Sequence, residues 1–203
     1  RKFGGNREEK VLINKAKELL KTTKNAALIE RSFEILAEVE DETIKNIVIN
    51  RAKIFLNSNH DSYVIEKCLR ILSGIEDKEA KKIAINKAKE FLSSTDDLFI
   101  IEASLDVLSK SNSKDDKELM VTKAKEFLEA NEKKKDLDIF AKASKKQIDC
   151  TIEKSLSVLF KVNNKELSDF LEEKSKYLLK NNSNPYIITK GLEVLSTLDS
   201  ETA

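Results

Sequence analysis

The sequence is poor in glycine, proline and tryptophan, and it has almost no excess of either charge. It contains four Gly, one Pro and no Trp in 203 residues. Because strands and their turns need glycine and proline, this scarcity favours a helical fold. The 37 basic residues balance 36 acidic ones, which gives a net charge of +1. Modules that bind nucleic acids or membrane surfaces usually carry a strong excess of one charge, so the balance disfavours both.

The sequence also lacks the residues from which membrane spans, disulfide frameworks and catalytic sites are built. No apolar run approaches the roughly 20 residues that cross a bilayer, and no signal-peptide pattern occurs, so we expect an intracellular, cytoplasmic protein. Two cysteines do not make a disulfide framework, and we expect Cys68 and Cys150 to be buried free thiols. The single histidine, His60, allows neither a Ser-His-Asp triad nor a two-histidine metal site. We therefore expect no enzyme activity, no metal site and no cofactor.

A repeat of 36 residues is the strongest pattern in the chain. The segment Ile13–Leu20 recurs with starts at Ile49, Ile85 and Val121, each 36 residues after the last, and a weaker copy starts at Glu172. A second segment follows the first in every repeat, and its copies occupy residues 28–36, 64–72, 100–108, 151–159 and 187–195. The interval from 121 to 172 is 51 residues, which is 15 more than the period. The extra residues lie at about 131–147, inside the fourth repeat.

Both segments have the pattern of amphipathic helices. In the first, Ile85, Ala88 and Leu92 follow the 3.6-residue period of a helix, and the second segment has the same periodicity. Polar residues precede the helices in fixed columns, where side-chain oxygens can cap free backbone N–H groups. The predicted caps are Asn25, Asp61, Asp97 and Asn184 before the second helix, and Asp41, Asp77, Ser113 and Asn164 before the first. Pro185 follows Asn184 at the first helical position, where its missing N–H costs nothing.

These features predict an all-α fold, a right-handed α-solenoid of five helix-turn-helix repeats in one domain, 1–203. Because one helix pair cannot bury both of its apolar faces, neighbouring pairs must stack into a continuous core. The predicted repeats are approximately 6–40, 41–76, 77–112, 113–163 and 164–199. Two columns of small residues favour close stacking; they are Ala16, Ala52, Ala88, Ala124 and Ser175, and Ser32, Cys68, Ser104, Ser155 and Gly191.

The repeat resembles those of the HEAT-like and armadillo-like families. The pattern Ile-Glu-x-Ser-Leu-x-Val-Leu of the second segment is similar to the second helix of a HEAT repeat, and the likeness covers essentially the whole chain. A period of 36 residues is short for HEAT repeats, and the proline typical of their first helix is missing. Tetratricopeptide repeats are the alternative on length, although their Trp, Gly-Tyr and terminal Pro pattern is missing. Pentatricopeptide repeats, which read RNA, agree in length alone.

Charged residues also recur in columns. Glu30, Glu66, Glu102 and Glu153 form an acidic column on the second helices. Two basic columns border the apolar stripe of the first helices; they are Lys15, Arg51, Lys87, Lys123 and Lys174, and Lys17, Lys53, Lys89, Lys125 and Lys176. We interpret the basic columns as structural, with stems that cover the core edge and ammonium groups that pair with the acidic column or face water. The alternative is a basic ladder that contacts nucleic-acid phosphates at the repeat spacing.

The function that fits these features best is a non-catalytic scaffold that binds a protein or peptide partner. We predict contacts from exposed positions on the second helices and from the lysine-rich insertion, since insertions in repeat proteins often lie on the binding face. The alternative for the insertion is a genetic accident that is tolerated at a turn and has no role in binding. The candidate residues are Glu66, Arg70, Glu102, Asp106, Lys133, Lys134, Lys135 and Phe140. A nucleic-acid module that uses the basic columns and the insertion is the alternative. A catalytic solenoid similar to HEAT-like DNA glycosylases is a third hypothesis, which the absence of Trp disfavours.

The last repeat ends in a helix as apolar as the internal ones. Terminal repeats normally carry a polar outer face, and no polar capping helix follows Leu198. We therefore expect the repeats to belong to a longer protein, or the C-terminal face to meet further repeats or another chain.

Overall fold

The fold is all-helical in the residues that the computed structural model describes, which are 7–58, 61–132, 144–162 and 165–201. The predicted all-α class is therefore confirmed. The helices of these ranges are α1 (Arg7–Thr22), α2 (Ala26–Ala37), α3 (Glu42–Asn57), α4 (Ser62–Gly74), α5 (Lys78–Ser94), α6 (Leu98–Ser109), α7 (Lys114–Glu132), α8 (Lys145–Val162), α9 (Lys165–Asn181) and α10 (Pro185–Glu201).

The predicted capping residues bind the backbone at the starts of the helices. Asn25 Oδ1 accepts a hydrogen bond from the N–H of Leu28 at 3.1 Å, and Asn184 Oδ1 accepts one from the N–H of Tyr186 at 2.9 Å. The other predicted caps that accept such bonds are Asp41, Asp61, Asp77, Asp97 and Ser113. These bonds satisfy N–H groups that have no partner within their helix. Asn164 lies outside the described residues.

The helices divide into two compact units, and unit 1 spans Arg1–Lys87. Within it, α1 packs against α2 and α3, α2 packs against α3 and α4, and α3 packs against α4. The rings of Phe33 and Phe55 meet edge to face, with centroids 5.9 Å apart. The largest fully buried side chains are Leu20, Ile29, Phe33, Leu36, Leu69 and Leu72. Five of these six side chains belong to the second helices α2 and α4.

Unit 2 spans Ala88–Ala203, and the division falls inside α5. Here α8 packs against α6, α7, α9 and α10, while α6 also contacts α7 and α9 contacts α10. The largest fully buried side chains are Leu105, Leu108, Met120, Ile152, Leu156 and Leu159. As in unit 1, five of these six side chains belong to second helices, here α6 and α8.

The two columns of small residues are buried throughout, as predicted for positions of close helix contact. The prediction for the cysteines is only half right. Cys68 is buried, but Cys150 is exposed. Its column lies near the start of the second helices and faces outward, since Phe99 and Tyr186 in the same column are 37% and 75% exposed.

Candidate protein-binding surface

Two of the predicted binding residues, Glu66 and Arg70, lie together on α4 in unit 1. Arg70 Nε donates a hydrogen bond to Glu66 Oε1 at 2.5 Å, and Lys67 Nζ lies 3.8 Å from Glu66 Oε2. Glu66 is only 7% exposed, so the prediction of an exposed position is wrong for this residue. Arg70 and Lys67 both contact its carboxylate, and α4 packs against α2 and α3. Arg70 is half-buried beside it.

A cluster of three polar side chains joins α2 to α4. The Tyr63 hydroxyl donates to Glu30 Oε2 at 2.5 Å, and Lys67 Nζ lies 3.0 Å from Glu30 Oε1. Lys67 Nζ also lies 4.9 Å from the centroid of the Tyr63 ring. Partial burial alone would raise the pKa of Glu30, but the bonds from Tyr63 and Lys67 hold this pKa below its usual value. Glu30 and Lys67 are therefore ionised and paired at neutral pH, while the hydrogen bond to Glu30 raises the pKa of Tyr63 and keeps its hydroxyl protonated.

A half-open groove of about 430 Å³ lies between α2, α3 and α4 in unit 1. Its apolar lining consists of Leu36, Ala37, Val39, Val48, Ile71, Gly74 and Ile75. Arg70, Lys45 and Glu76 supply the charged lining. Lys45 Nζ lies 3.1 Å from Glu42 Oε1 and 3.8 Å from Asp77 Oδ2. The groove thus offers an apolar floor with two cations and a carboxylate at its edge.

Arg70 is the only predicted candidate residue among the groove's lining side chains. The other lining residues were missed because apolar periodicity assigns them to the core or to a helix end. One residue could have indicated the groove from the sequence alone. Gly74 stands in a column that holds Glu38, Lys110, Lys161 and Thr197 in the other repeats. A Cβ at Gly74 would meet no atom within 4 Å, so the missing side chain leaves the groove open.

The predicted residues Glu102 and Asp106 lie on α6 in unit 2 and are half-buried. Asp106 Oδ1 accepts a hydrogen bond from Lys154 Nζ of α8 at 2.9 Å, and Oδ2 accepts one from Lys110 Nζ at 2.8 Å. Burial alone would raise the pKa of Asp106, but the two lysines lower this pKa to about 2. Asp106 therefore joins two second helices, which is a structural role that the sequence prediction did not include.

A second half-open groove, of about 390 Å³, lies in unit 2 between the end of α5, the start of α6 and α7. Its apolar side chains are Leu92, Ile101, Phe127 and Ala130, and its polar residues are Ser93, Ser94, Thr95, Asp96, Lys123 and Glu126. Lys123 Nζ and Glu126 Oε2 are paired at 2.9 Å. None of the predicted binding residues lines this groove.

The basic columns pair with acids of the first helices. Lys89 Nζ of α5 donates to Asp116 Oδ1 of α7 at 2.8 Å, and this bond raises the pKa of Lys89. The other pairs are Lys15 with Glu18, Lys123 with Glu126, Lys174 with Glu132, and Lys176 with Glu172. The predicted pairing with the acidic column of the second helices is therefore wrong for these lysines. Acids on the first helices thus pair with three lysines of the first basic column and two of the second.

Arg51 of the first basic column has a different partner. Its Nε donates a hydrogen bond to the carbonyl of Leu20 at 2.9 Å, and its guanidinium lies 5.4 Å from the centroid of the Phe55 ring. Leu20 is near the end of α1, where carbonyl groups have no partner within the helix. The guanidinium therefore binds protein backbone.

The described residues contain little from which a reactive site is built. They include no group of three or more His, Cys, Asp or Glu side chains that could hold a metal ion. Burial raises the pKa of the Cys68 thiol, and partial burial with nearby carboxylates, Glu102 first among them, raises that of Cys150. Neither thiol is thus activated as a nucleophile. Among the helices of the described ranges, none is long and apolar enough to cross a membrane.

Several predicted features lie outside the described residues. They are His60, Lys133, Lys134, Lys135 and Phe140, with most of the insertion at 131–147. No protein-family model matches the chain, and comparisons with curated proteins and with solved structures find no match.

Proposed function

We propose that the chain is a non-catalytic helical-repeat scaffold, an α-solenoid of five stacked helix pairs, that binds a protein or peptide partner. Contacts between second helices support the stacking within each unit. In unit 1, α4 packs against α2, and in unit 2, α8 packs against both α6 and α10. Successive pairs in a solenoid contact one another in this way, because each pair has an apolar face that only its neighbour can cover.

The groove in unit 1 is the observation that carries the binding proposal. Its volume of about 430 Å³ lies within the usual range of ligand pockets, and its floor is apolar. At its edge, Arg70 pairs with the buried Glu66, whereas Lys45 pairs with Glu42, whose side chain is 74% exposed, so an acid of a partner can take the place of Glu42. A partner segment that places an apolar side chain on the floor and an acidic residue at the edge fits this arrangement. Few polar contacts beside an apolar pocket give a peptide site its specificity.

The contacts of the basic columns give less support to the nucleic-acid alternative. Phosphate binding needs lysine and arginine side chains that are available to the backbone of the nucleic acid. Lys89 instead pairs with the buried Asp116, Lys174 is itself buried beside Glu132, and Arg51 binds the Leu20 carbonyl. Labelled single-stranded RNA and double-stranded DNA should therefore show only weak binding, measured by fluorescence anisotropy at low and high salt. Tight binding with a steep salt dependence would favour the alternative.

A display selection with a random peptide library tests the proposal directly. The chain and its Gly74→Phe variant serve as parallel targets, because a phenyl ring at Gly74 enters open space in the groove. We expect enriched peptides to combine an apolar residue with a nearby acid. In calorimetry they should bind the unchanged chain and lose roughly tenfold or more in affinity for Gly74→Phe.

Asn50→Phe is the matched control, since Asn50 is an exposed helical residue that does not line the groove. It adds the same ring and should leave peptide affinity unchanged. Circular dichroism of both variants checks that the helices are intact. Failure to enrich any peptide, or equal affinity of the enriched peptides for Gly74→Phe, would contradict the proposed site.

A further inference from the structure

The last second helix, α10, exposes an apolar position that is buried in every other repeat. Leu192 is 55% exposed, whereas Phe33, Leu69, Leu105 and Leu156 in the same column are each 0% exposed. In unit 1, a side chain of the following helix pair covers this position. Phe33 of α2 packs against Phe55 of α3, which belongs to the following helix pair. The position is thus one that a following pair covers.

The first helix pair exposes the complementary positions. Leu12 of α1 is 43% exposed, while Val48, Met120 and Leu171 in its column are at most 1% exposed. Leu28 of α2 is 44% exposed, and its column shows the same contrast; its counterparts Val64, Ile100, Thr151 and Ile187 are at most 5% exposed. These columns are buried in the repeats that have a preceding pair. Leu12 and Leu28 thus mark an N-terminal face, and Leu192 marks a C-terminal face.

Ion pairs between successive helix pairs in unit 2 show which charges such a contact brings together. Lys154 of α8 pairs with Asp106 of α6 at 2.9 Å, and Lys89 of α5 pairs with Asp116 of α7 at 2.8 Å. Each pair joins a residue of one repeat to a residue of the next. The two pairs therefore define a charge register for the contact between the third and fourth repeats.

The same register places opposite charges on the two exposed faces. On the N-terminal face, Arg31 has the column position of Lys154, and Glu8 has that of Asp116. On the C-terminal face, Glu193 and Lys176 have the positions of Asp106 and Lys89. Arg31, Glu8, Glu193 and Lys176 are all exposed. Arg31, Glu193 and Lys176 pair with neighbours three or four residues away, and such surface pairs exchange easily.

We propose that the N-terminal face of one chain binds the C-terminal face of a second copy, so that the copies associate head to tail. Leu12 and Leu28 of one copy cover Leu192 of the other, Arg31 pairs with Glu193, and Glu8 pairs with Lys176. This inference rests on the repeat stacking proposed above and not on the peptide groove. Because the two faces differ, the contact is heterologous. The copies therefore form open chains that grow with concentration, unless the contacts close a ring.

Complementation between two interface variants tests the arrangement. Leu28→Glu places a carboxylate on the N-terminal face, and Leu192→Glu places one on the C-terminal face. Analytical ultracentrifugation of the unchanged chain should show mass that increases with protein concentration. Each variant alone should lose association roughly a hundredfold or more, because an unpaired charge would be buried in the contact. An equimolar mixture of the two variants should form a heterodimer through the remaining intact faces.

Both substituted leucines are substantially exposed, so folding should be preserved, and circular dichroism checks this. Ile54→Glu is the matched control, since Ile54 is 50% exposed on α3 and lies on neither face. It should associate like the unchanged chain. Glu193→Arg should weaken association, and a mixture of Glu193→Arg with Arg31→Glu should regain it.

Three results would overturn the inference. The unchanged chain would stay monomeric at all concentrations, Leu28→Glu would still dimerise through two C-terminal faces, or the variant mixture would not form a heterodimer. The peptide groove is intact in Leu28→Glu and Leu192→Glu. Peptide binding by these variants therefore separates failure of this inference from failure of the proposed function.

Discussion

The polar contacts between second helices differ between the two units, although the same repeat column supplies the cation. In unit 1, Lys67 of α4 pairs with Glu30 in the acidic column of α2. In unit 2, Lys154 of α8 pairs with Asp106 of α6, which lies four residues beyond the acidic-column residue Glu102. The repeat thus places a lysine in both contacts, but the acid that this lysine binds differs. The choice does not follow from which acids are present, since Glu30 and Glu34 of unit 1 occupy the same two columns as Glu102 and Asp106 of unit 2.

The largest expected effect comes from breaking the contact in unit 2. Asp106→Asn leaves Lys154 and Lys110 without the carboxylate that both bind. Because the folded-state pKa of Asp106 is lowered from 3.8 to about 2, its ionisation stabilises the fold above about pH 4. That stability is lost as the pH falls through about 2. We expect urea unfolding at pH 7 to show a loss of about 2 kcal/mol, with the difference from the unchanged chain shrinking below pH 4.

Glu193→Gln is the control for this variant, since Glu193 occupies the same column but its side chain is 53% exposed beside Lys190. An exposed pair of this kind contributes about 0.5 kcal/mol or less. These measurements use protein concentrations at which the chain is monomeric. An equal loss in both variants would mean that burial of Asp106 does not strengthen its contacts.

Breaking the contact in unit 1 should have a smaller effect. Tyr63→Phe removes one hydroxyl donor to Glu30, while the salt bridge from Lys67 remains. We expect the free energy of unfolding to fall by about 1 kcal/mol in urea titrations. Tyr186→Phe, at an equivalent position that is 75% exposed, should change it by less than about 0.5 kcal/mol. A loss for Tyr63→Phe as small as that of the control would show that the cluster adds nothing to stability.

One substitution in the small-residue column of the second helices should increase stability instead of lowering it. Ser32 Oγ in unit 1 donates to the Leu28 carbonyl at 2.7 Å. Ser104 Oγ in unit 2 is buried, and it has no hydrogen-bond partner among the described residues. Ser104→Ala removes a buried polar group without breaking such a bond, so we expect a gain of about 1 kcal/mol in thermal or urea unfolding. Ser32→Ala should give no gain, and a loss in Ser104→Ala would reveal a partner for its hydroxyl.

The smallest expected effect concerns Gly191, the last member of that column. A Cβ at Gly191 would lie 3.4 Å from Leu179 Cγ and 3.6 Å from the Ser175 carbonyl oxygen, which are ordinary contact distances. Gly191→Ala should therefore stabilise α10 by about 0.5–1 kcal/mol, because alanine is the better helix former. Gly74→Ala, at the end of α4, should gain less. A destabilised Gly191→Ala protein would show that the added methyl group does not fit beside Leu179.

Features that depend on neighbouring residues in the chain were predictable from the sequence. The helix class, the buried small-residue columns and the caps at Asn25 and Asn184 follow from periodicity and from bonds spanning two or three residues. Features that depend on contacts between helices were not. The burial of Glu66, the pairing of Lys89 with Asp116 and the outward position of Cys150 all require knowledge of which helix lies alongside.

The candidate groove shows the same limit. Arg70 was predicted as a binding residue from its place on a second helix, but its groove also uses Val48 from α3 and Ile75 from the loop after α4. Apolar periodicity marks such residues as core, since it reports which side of a helix is apolar and not how completely that side is covered. Among the groove residues, only Gly74 indicated the opening, because larger side chains occupy its column in the other repeats.

The bond from Arg51 to the Leu20 carbonyl has a consequence for the order in which the chain folds. The two residues are 31 positions apart, so the end of α1 obtains this partner only after most of α3 has been synthesised and has docked. A nascent chain that stops after α2 leaves that carbonyl to water. Folding of the first helix pair is thus coupled to the arrival of the next pair. The ribosome must supply about two helix pairs before the first reaches its final stability.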